Sequence, residues 1–226
     1  MCLESNTLNT MKKVNWQLPL GKIMDERRLE RPYIAKKLLN VKNKIIVDWG
    51  CLDGSQKTGE IVGTSIFYNI DKSNTIIGVD IRDIPTLKGQ YIVSDIISAP
   101  INTESVDIGL CISTIEHIGL TKYNNSLDST GDSKALGKMI DVIKAGGKLY
   151  LTFPYGTSPT IIGGWIKVYT EEVLKSWELE HPNCQFNKDI FGLFGGKWYN
   201  CDFKDLEKVQ SKTTVTGICC LEIIKK

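Results

Sequence analysis

Short apolar runs that largely lack alternation with polar residues, each closed by an acid, a serine, a glycine or a proline, constrain this chain more than any other feature. Ile45-Ile46-Val47 leads into Asp48, Ile76-Ile77-Gly78-Val79 into Asp80, and Tyr91-Ile92-Val93 into Ser94-Asp95. Val106–Ile112 and Leu149–Phe153 follow the same pattern, the latter stopped by Pro154. A half-exposed strand alternates, so runs like these suit strands buried on both faces of a parallel sheet. The pattern predicts strands at 44–49, 75–80, 90–95, 106–112 and 148–153, with two more near 185–191 and 215–224. Between them lie helical stretches at 25–39 (interrupted or started near Pro32), 56–68, 133–143 and 170–177. Asp132 and Thr170 read as N-caps, and Gly146-Gly147 as the close of the third helix. Strands alternating with helices give an α/β protein. The expected architecture is a Rossmann-like, doubly wound sheet of seven strands, mostly parallel. The last two strands supply an antiparallel pair at one edge. Residues 25–226 form a single domain after a polar lead-in at 1–24.

The totals narrow the partners. With 28 Lys and Arg against 26 Asp and Glu, the net charge of +2 gives no basic face for nucleic acid. No apolar stretch reaches the roughly 18 residues a membrane span needs. The start, Met1-Cys2-Leu3-Glu4-Ser5, lacks a basic n-region followed by an apolar h-region, so secretion is not expected. Seven cysteines without a C-x-x-C pair fit a reducing cytoplasm better than a disulfide framework or a zinc site. The expected partner is a small molecule.

In an open α/β sheet, ligands bind beyond the carboxyl ends of the strands, where the strand order reverses. Asp48-Trp49-Gly50, Asp80, Asp95 and Ser113 all fall at such ends. Gly50 and Gly54 let backbone approach a ligand, and the following helix start offers N–H groups to an anion. An ordinary tight turn would use the same glycines. Asp80 is placed to accept from two ribose hydroxyls, or simply opens a loop beside Arg82. Asp95 suits an adenine amino group or a plain turn. The turn Gly50-Cys51-Leu52-Asp53-Gly54 is neither the G-x-G-x-x-G dinucleotide fingerprint nor a phosphate-binding P-loop.

Taken in order, these segments resemble the class I S-adenosylmethionine (SAM)-dependent methyltransferases over residues 25–178. Val47–Gly54 looks like the family's first motif, Ile77–Ile81 the second, and Ser94-Asp95-Ile96 the adenine-side motif. Leu110–Ile118 resembles the fourth-strand signature, and Val142–Leu149 the glycine turn before strand five. Two departures stand out: Leu52 replaces the usual middle glycine, and Ala145 replaces a proline. The resemblance implies SAM as cofactor. Backbone at Gly50 and Gly54 would hold its methionine part, with Asp48 near the ammonium. Asp80 would take the ribose, Asp95 and Ile96 the adenine, and Ser113 would floor the site near the sulfonium. Trp49, Cys51 and Ile81 complete the expected cofactor set.

Methyl transfer needs alignment above all, and a hydroxyl acceptor gains from a general base. His117, just after strand four, is the candidate base, with Glu116 to orient it or bind the acceptor. A structural role for this Glu-His pair is the alternative. Neither His117 nor His181 has a second neutral ligand at metal spacing, so no metal is expected. The acceptor pocket is expected from Arg27, Arg28, Glu30 and Tyr33, the 119–131 loop with Tyr123, and the 154–169 segment with Tyr155, Trp165 and Tyr169. Within the family, Glu26–Pro32, Glu116–Gly119 and Phe153–Gly156 look most like methyltransferases that modify polysaccharides or glycans, which implies O-methylation of a sugar. The rival is a non-catalytic SAM-binding or scaffold protein on the same fold.

Overall fold

The computed structural model describes residues 12–13, 26–51, 70–83, 90–121 and 127–226. Leu52, Gly54, Tyr123 and the expected helix at 56–68 lie outside the described residues. In chain order the elements are β1 (Lys12–Lys13), α1 (Arg27–Leu38), β2 (Ile45–Trp49), β3 (Thr75–Asp80), β4 (Gln90–Val93) and β5 (Val106–Ile112). Then come α2 (Gly131–Val142), β6 (Ile143–Pro154), β7 (Thr160–Ile162), β8 (Ile166–Val168) and α3 (Glu171–Glu180). β9 (Cys184–Phe194), β10 (Lys197–Asn200) and β11 (Gly217–Lys225) complete the chain.

Among the described residues the main sheet has nine strands in the order β1-β10-β9-β11-β6-β5-β2-β3-β4. Pairing is parallel from β6 through β5, β2 and β3 to β4. The seven strands from β9 to β4 are those expected from the sequence; β10 and β1 extend the sheet beyond seven. The antiparallel strand is also not at the edge. β11 inserts between β6 and β9, antiparallel to both. Gly217–Leu221 is buried throughout, and a strand covered on both faces belongs in the interior of a sheet. Beyond β9 the half-buried β10 adds antiparallel, and β1 pairs antiparallel with β10 to form that edge.

The lack of alternation in the central strands has a direct cause. Apolar layers cover both faces, so consecutive residues enter opposite cores. Ile46, Leu110 and Tyr150 pack toward Leu29, Ile34 and Leu38 of α1. Val47, Cys111 and Leu151 face Leu136 and Met139 of α2 and Trp177 of α3. Each such fully buried aliphatic side chain contributes about 1.5–3 kcal/mol.

Two local expectations change. Helix α2 starts at Gly131 with Thr130 in the N-cap position, so Asp132 lies inside the first turn. Gly146-Gly147 does not close that helix but belongs to an irregular stretch of β6. There β6 advances five positions (143 to 148) while β5 advances two (106 to 108).

Chain order reverses beside β2: β3 and β4 add outward on one side, β5 and β6 on the other. The crevice above the carboxyl ends of β2 and β5 is therefore the topological switch point.

Candidate functional site

At the end of β2 the backbone turns through Gly50 at φ +69°, a left-handed conformation that glycine adopts without penalty. Its N–H, and that of Cys51, bond to the carbonyl of Val79 at 2.8 and 3.2 Å, pinning the turn to β3. A Cβ at Gly50 would lie 2.2 Å from Cγ2 and 2.8 Å from Cβ of Thr114. The rims of β2 and β5 thus meet at a point where only glycine fits.

Asp48 sits two residues before Gly50, 2% exposed, and its Oδ2 has no hydrogen-bond partner among the described residues. Burial, reinforced by the charge of nearby Asp80, pushes its carboxyl up to about 8. Burial is also the main reason that the Cys51 thiol is held far above its usual range, with Asp48 and Asp80 adding to the shift. This cysteine is therefore a neutral packing group. Trp49 is fully buried in the core facing α2 and α3, so it offers the crevice only backbone.

Asp80, at the end of β3, is also buried, and Arg82 grips it from two residues on. Arg82 Nε and Nη2 each donate to the carboxylate at 2.9 Å, and the Arg82 backbone N–H at 3.0 Å. Ile81 between them is partly exposed. On the next strand, Ser94 N–H bonds to the Asp80 carbonyl at 2.9 Å, and Asp95 accepts from the Ile97 N–H at 2.8 Å. That bond makes Asp95 a turn-forming acid, while Ile96 beside it is buried. Asp48, Gly50, Cys51 and Asp80 share one stretch of rim, with Asp95 and Ile96 on the β4 side.

The β5 side carries a second group. Ser113 has φ +45°, an uncommon conformation for a residue with a side chain, held by its N–H to the Thr152 carbonyl at 3.0 Å. Its hydroxyl lies 2.8 and 2.7 Å from the two carboxyl oxygens of Glu30 on α1. Glu30 is wholly buried, and desolvation followed by the charge of Glu26 raises its carboxyl to about 7. Glu116 is 2% exposed, and its Oε2 is unpartnered among the described residues. Burial and then the charge of Glu30 hold it well above the carboxylate range, so Glu116 favours the neutral form, while Glu30 divides between its neutral and charged forms near pH 7.

His117 follows in the short 3-10 turn Ile115–His117. Its Nδ1 lies 2.7 Å from the carbonyl oxygen of Trp165, and its ring stacks on the Trp165 indole at 4.9 Å and 12°. A carbonyl only accepts, so Nδ1 carries the proton and the neutral ring keeps its lone pair on Nε2. Glu116 Oε1 is 3.8 Å from Nε2, beyond hydrogen-bond reach. Among the expected acceptor residues, Tyr155 and Tyr169 are core instead: their hydroxyls are engaged by Glu171 and Asp132. Tyr33 donates to Asp189 at 2.6 Å. Thr114, Thr152 and Lys167 were not singled out by the sequence. No cluster of three or more metal-ligating side chains occurs among the described residues, and no described helix is long and apolar enough to cross a membrane.

Comparison with known proteins adds the fold but not the chemistry. Residues 100–171 match a family described as Caenorhabditis protein of unknown function, DUF268. An uncharacterized protein of Methanocaldococcus jannaschii is 30% identical over 114 residues, 49% of this chain and 45% of that one. The match therefore spans less than half of the relative. Among solved structures, the [4+2]-cyclase SpnF superposes with a TM-score of 0.59 at 11% identity, covering 97% of this chain and 90% of that one. The Burkholderia thailandensis 1,6-didemethyltoxoflavin-N1-methyltransferase, solved with its substrate and S-adenosylhomocysteine, gives 0.53 at 10% identity over 85% and 77%. A SAM-dependent methyltransferase of Methanosarcina mazei gives 0.54 at 14% over 85% and 97%. At such identities the likeness establishes the fold alone: this chain has the Rossmann-like fold of class I SAM-dependent methyltransferases.

Proposed function

We propose that this protein is a SAM-dependent methyltransferase acting on a small-molecule acceptor, and that it methylates a hydroxyl of a sugar or glycan precursor. One observation carries the reading: Asp48 Oδ2 is buried and has no partner among the described residues, beside a left-handed glycine turn at the switch point. A buried acceptor without a donor costs on the order of 1–3 kcal/mol, which a ligand ammonium would offset. The donor set fits the adenosyl sulfonium. Asp48 would hold the ammonium, backbone at Gly50, Cys51 and Gly54 the methionine part, and Asp80 the ribose. Ile81, Asp95 and Ile96 would bound the adenine, and Ser113 the floor. When bound, SAM supplies an electrophilic methyl.

The chain's own residues do the rest. His117, with Nδ1–H donated to Trp165, presents the basic Nε2 that would take a proton from an acceptor hydroxyl. Burial discourages ionisation of Glu30 and Glu116, which lowers the negative charge around Ser113. In this reading the catalytic unit is residues 25–226, with Lys12–Lys13 of the lead-in adding a strand to its sheet, in a cytoplasmic protein without a nucleic-acid partner, the last in keeping with the near-zero net charge.

A second reading has specific support: a binding protein, or one of other chemistry, on the same fold. Asp80 is already held by Arg82, and a similar structure belongs to a cyclase. Titration calorimetry with SAM, then assay of S-adenosylhomocysteine release over a panel of hydroxylated acceptors, separates the two. Binding with release supports the methyltransferase. Binding with no release on any acceptor favours the second reading, and absence of binding removes the methyltransferase.

A further inference from the structure

The β7–β8 hairpin reverses through Gly163 and Gly164, at φ +58° and +77°, and delivers Trp165 to His117. This hairpin is not part of the main sheet; its two three-residue strands pair only with each other. Its short ladder leaves the placement of the Trp165 carbonyl to other interactions. The end of β8 is tied to β6 through Tyr169, whose N–H donates to the Pro154 carbonyl and whose carbonyl accepts from the Gly156 N–H, both at 2.9 Å. Nearer the turn, Lys167, in the middle of β8, donates from its ammonium to Asp132 Oδ2 at 2.8 Å. The same oxygen accepts from the Tyr169 hydroxyl at 2.9 Å, and that hydroxyl lies 3.0 Å from the carbonyl of Ile115, the first residue of the turn that carries His117. Tyr169 is itself fixed in the core, 5.1 Å from the rings of Phe153 and Trp177. Asp132 is 7% exposed. A charge pair at this depth is strongly geometry-dependent, and loss of one partner leaves the other uncompensated.

We infer that Asp132 and Lys167 are positioning residues for His117: their ion pair clamps the hairpin so that the Trp165 carbonyl selects the Nδ1–H tautomer and leaves Nε2 as the basic nitrogen. Asp132 thereby ties together three elements, the start of α2, the hairpin and the 3-10 turn. The inference rests on His117 acting as the base, but the clamp itself can be read without turnover. In water a neutral imidazole favours the Nε2–H form. Without the clamp the ring would drift toward that form, with the proton on Nε2 and the lone pair on Nδ1.

The test is 15N NMR of the two histidine rings in the full chain, with His181→Gln to assign His117, comparing wild type, Lys167→Met, Asp132→Asn and Lys167→Arg. Circular dichroism confirms that each variant is folded. The clamp predicts a dominant Nδ1–H tautomer in wild type, a shift toward Nε2–H in Lys167→Met and Asp132→Asn, and recovery in Lys167→Arg. An unchanged tautomer in both folded disrupting variants would overturn the inference. Where an acceptor is in hand, kcat should fall roughly 10-fold or more in Lys167→Met with KM for SAM unchanged. A shifted tautomer with unchanged kcat would retain the clamp and remove His117 as base.

Discussion

The hydroxyl of Ser113 sits 2.8 and 2.7 Å from the two carboxyl oxygens of Glu30, joining residues 83 positions apart across the rim of β5. Through it, α1 is fastened to the candidate site by an acid that burial holds near neutrality.

Stability should therefore fall as pH rises from 5 to 8. Glu30 is raised from 4.5 to about 7 and Asp48 from 3.8 to about 8. Below the unfolded values both states hold the proton and the contribution is fully present. Above them the unfolded chain releases it first, so the native state loses ground until the folded values are passed. The Glu30 part is on the order of 3 kcal/mol. Urea denaturation at pH 5.5 and 8 checks this, and Glu30→Gln should flatten the dependence. A stability that rises over that range would contradict the assigned burial.

Gly50→Ala should destabilise the fold by about 2–4 kcal/mol, combining left-handed strain with overpacking against Thr114. Truncating Thr114 to Ala should not restore it, because the Thr114 Cβ already stands 2.8 Å away. Thermal melts of the single and double variants decide the matter; full rescue would show that the turn can relax.

Much of this arrangement was legible from residues alone. Strands β3 and β5 fall at the predicted 75–80 and 106–112, because both-face burial removes alternation from a strand. The antiparallel end was harder. Nothing local distinguishes the apolar run of β11 as an interior strand rather than an edge, since strand order is a long-range property. The β7–β8 hairpin left a signal that was passed over: Thr160-Ile161-Ile162 and Ile166-Lys167-Val168 flank Gly163-Gly164, β-branched runs around a turn. Asp132 looked like an N-cap because helix starts favour that residue type, whereas its carboxylate serves Lys167 and Tyr169. Glu30 could not be tied to the rim, because its partner is fixed only by packing α1 against the sheet.

Arg82→Ala should leave SAM affinity unchanged or improved, whereas Asp80→Ala should weaken it strongly. Arg82 now takes both carboxylate oxygens of Asp80, and two ribose hydroxyls would have to share or displace those bonds. Each charge-assisted bond is worth roughly 1.5–3 kcal/mol. Calorimetry on the two variants distinguishes the roles; equal losses would assign the pair a structural function.

His117→Ala should slow methyl transfer by about 100-fold or more while SAM binding stays nearly intact. Single-turnover rates with any accepted hydroxyl compound provide the check. Normal turnover would return His117 to packing against Trp165.

The most direct test of the whole account is SAM titration by calorimetry between pH 6 and 7.5, in two buffers of different ionisation enthalpy, for wild type and Asp48→Asn. A neutral buried Asp48 that ionises when an ammonium arrives predicts proton release on binding, affinity that rises with pH, and loss of both in the variant. Absence of SAM binding, or binding in Asp48→Asn equal to wild type with no proton released, would contradict the claim that this rim holds the cofactor.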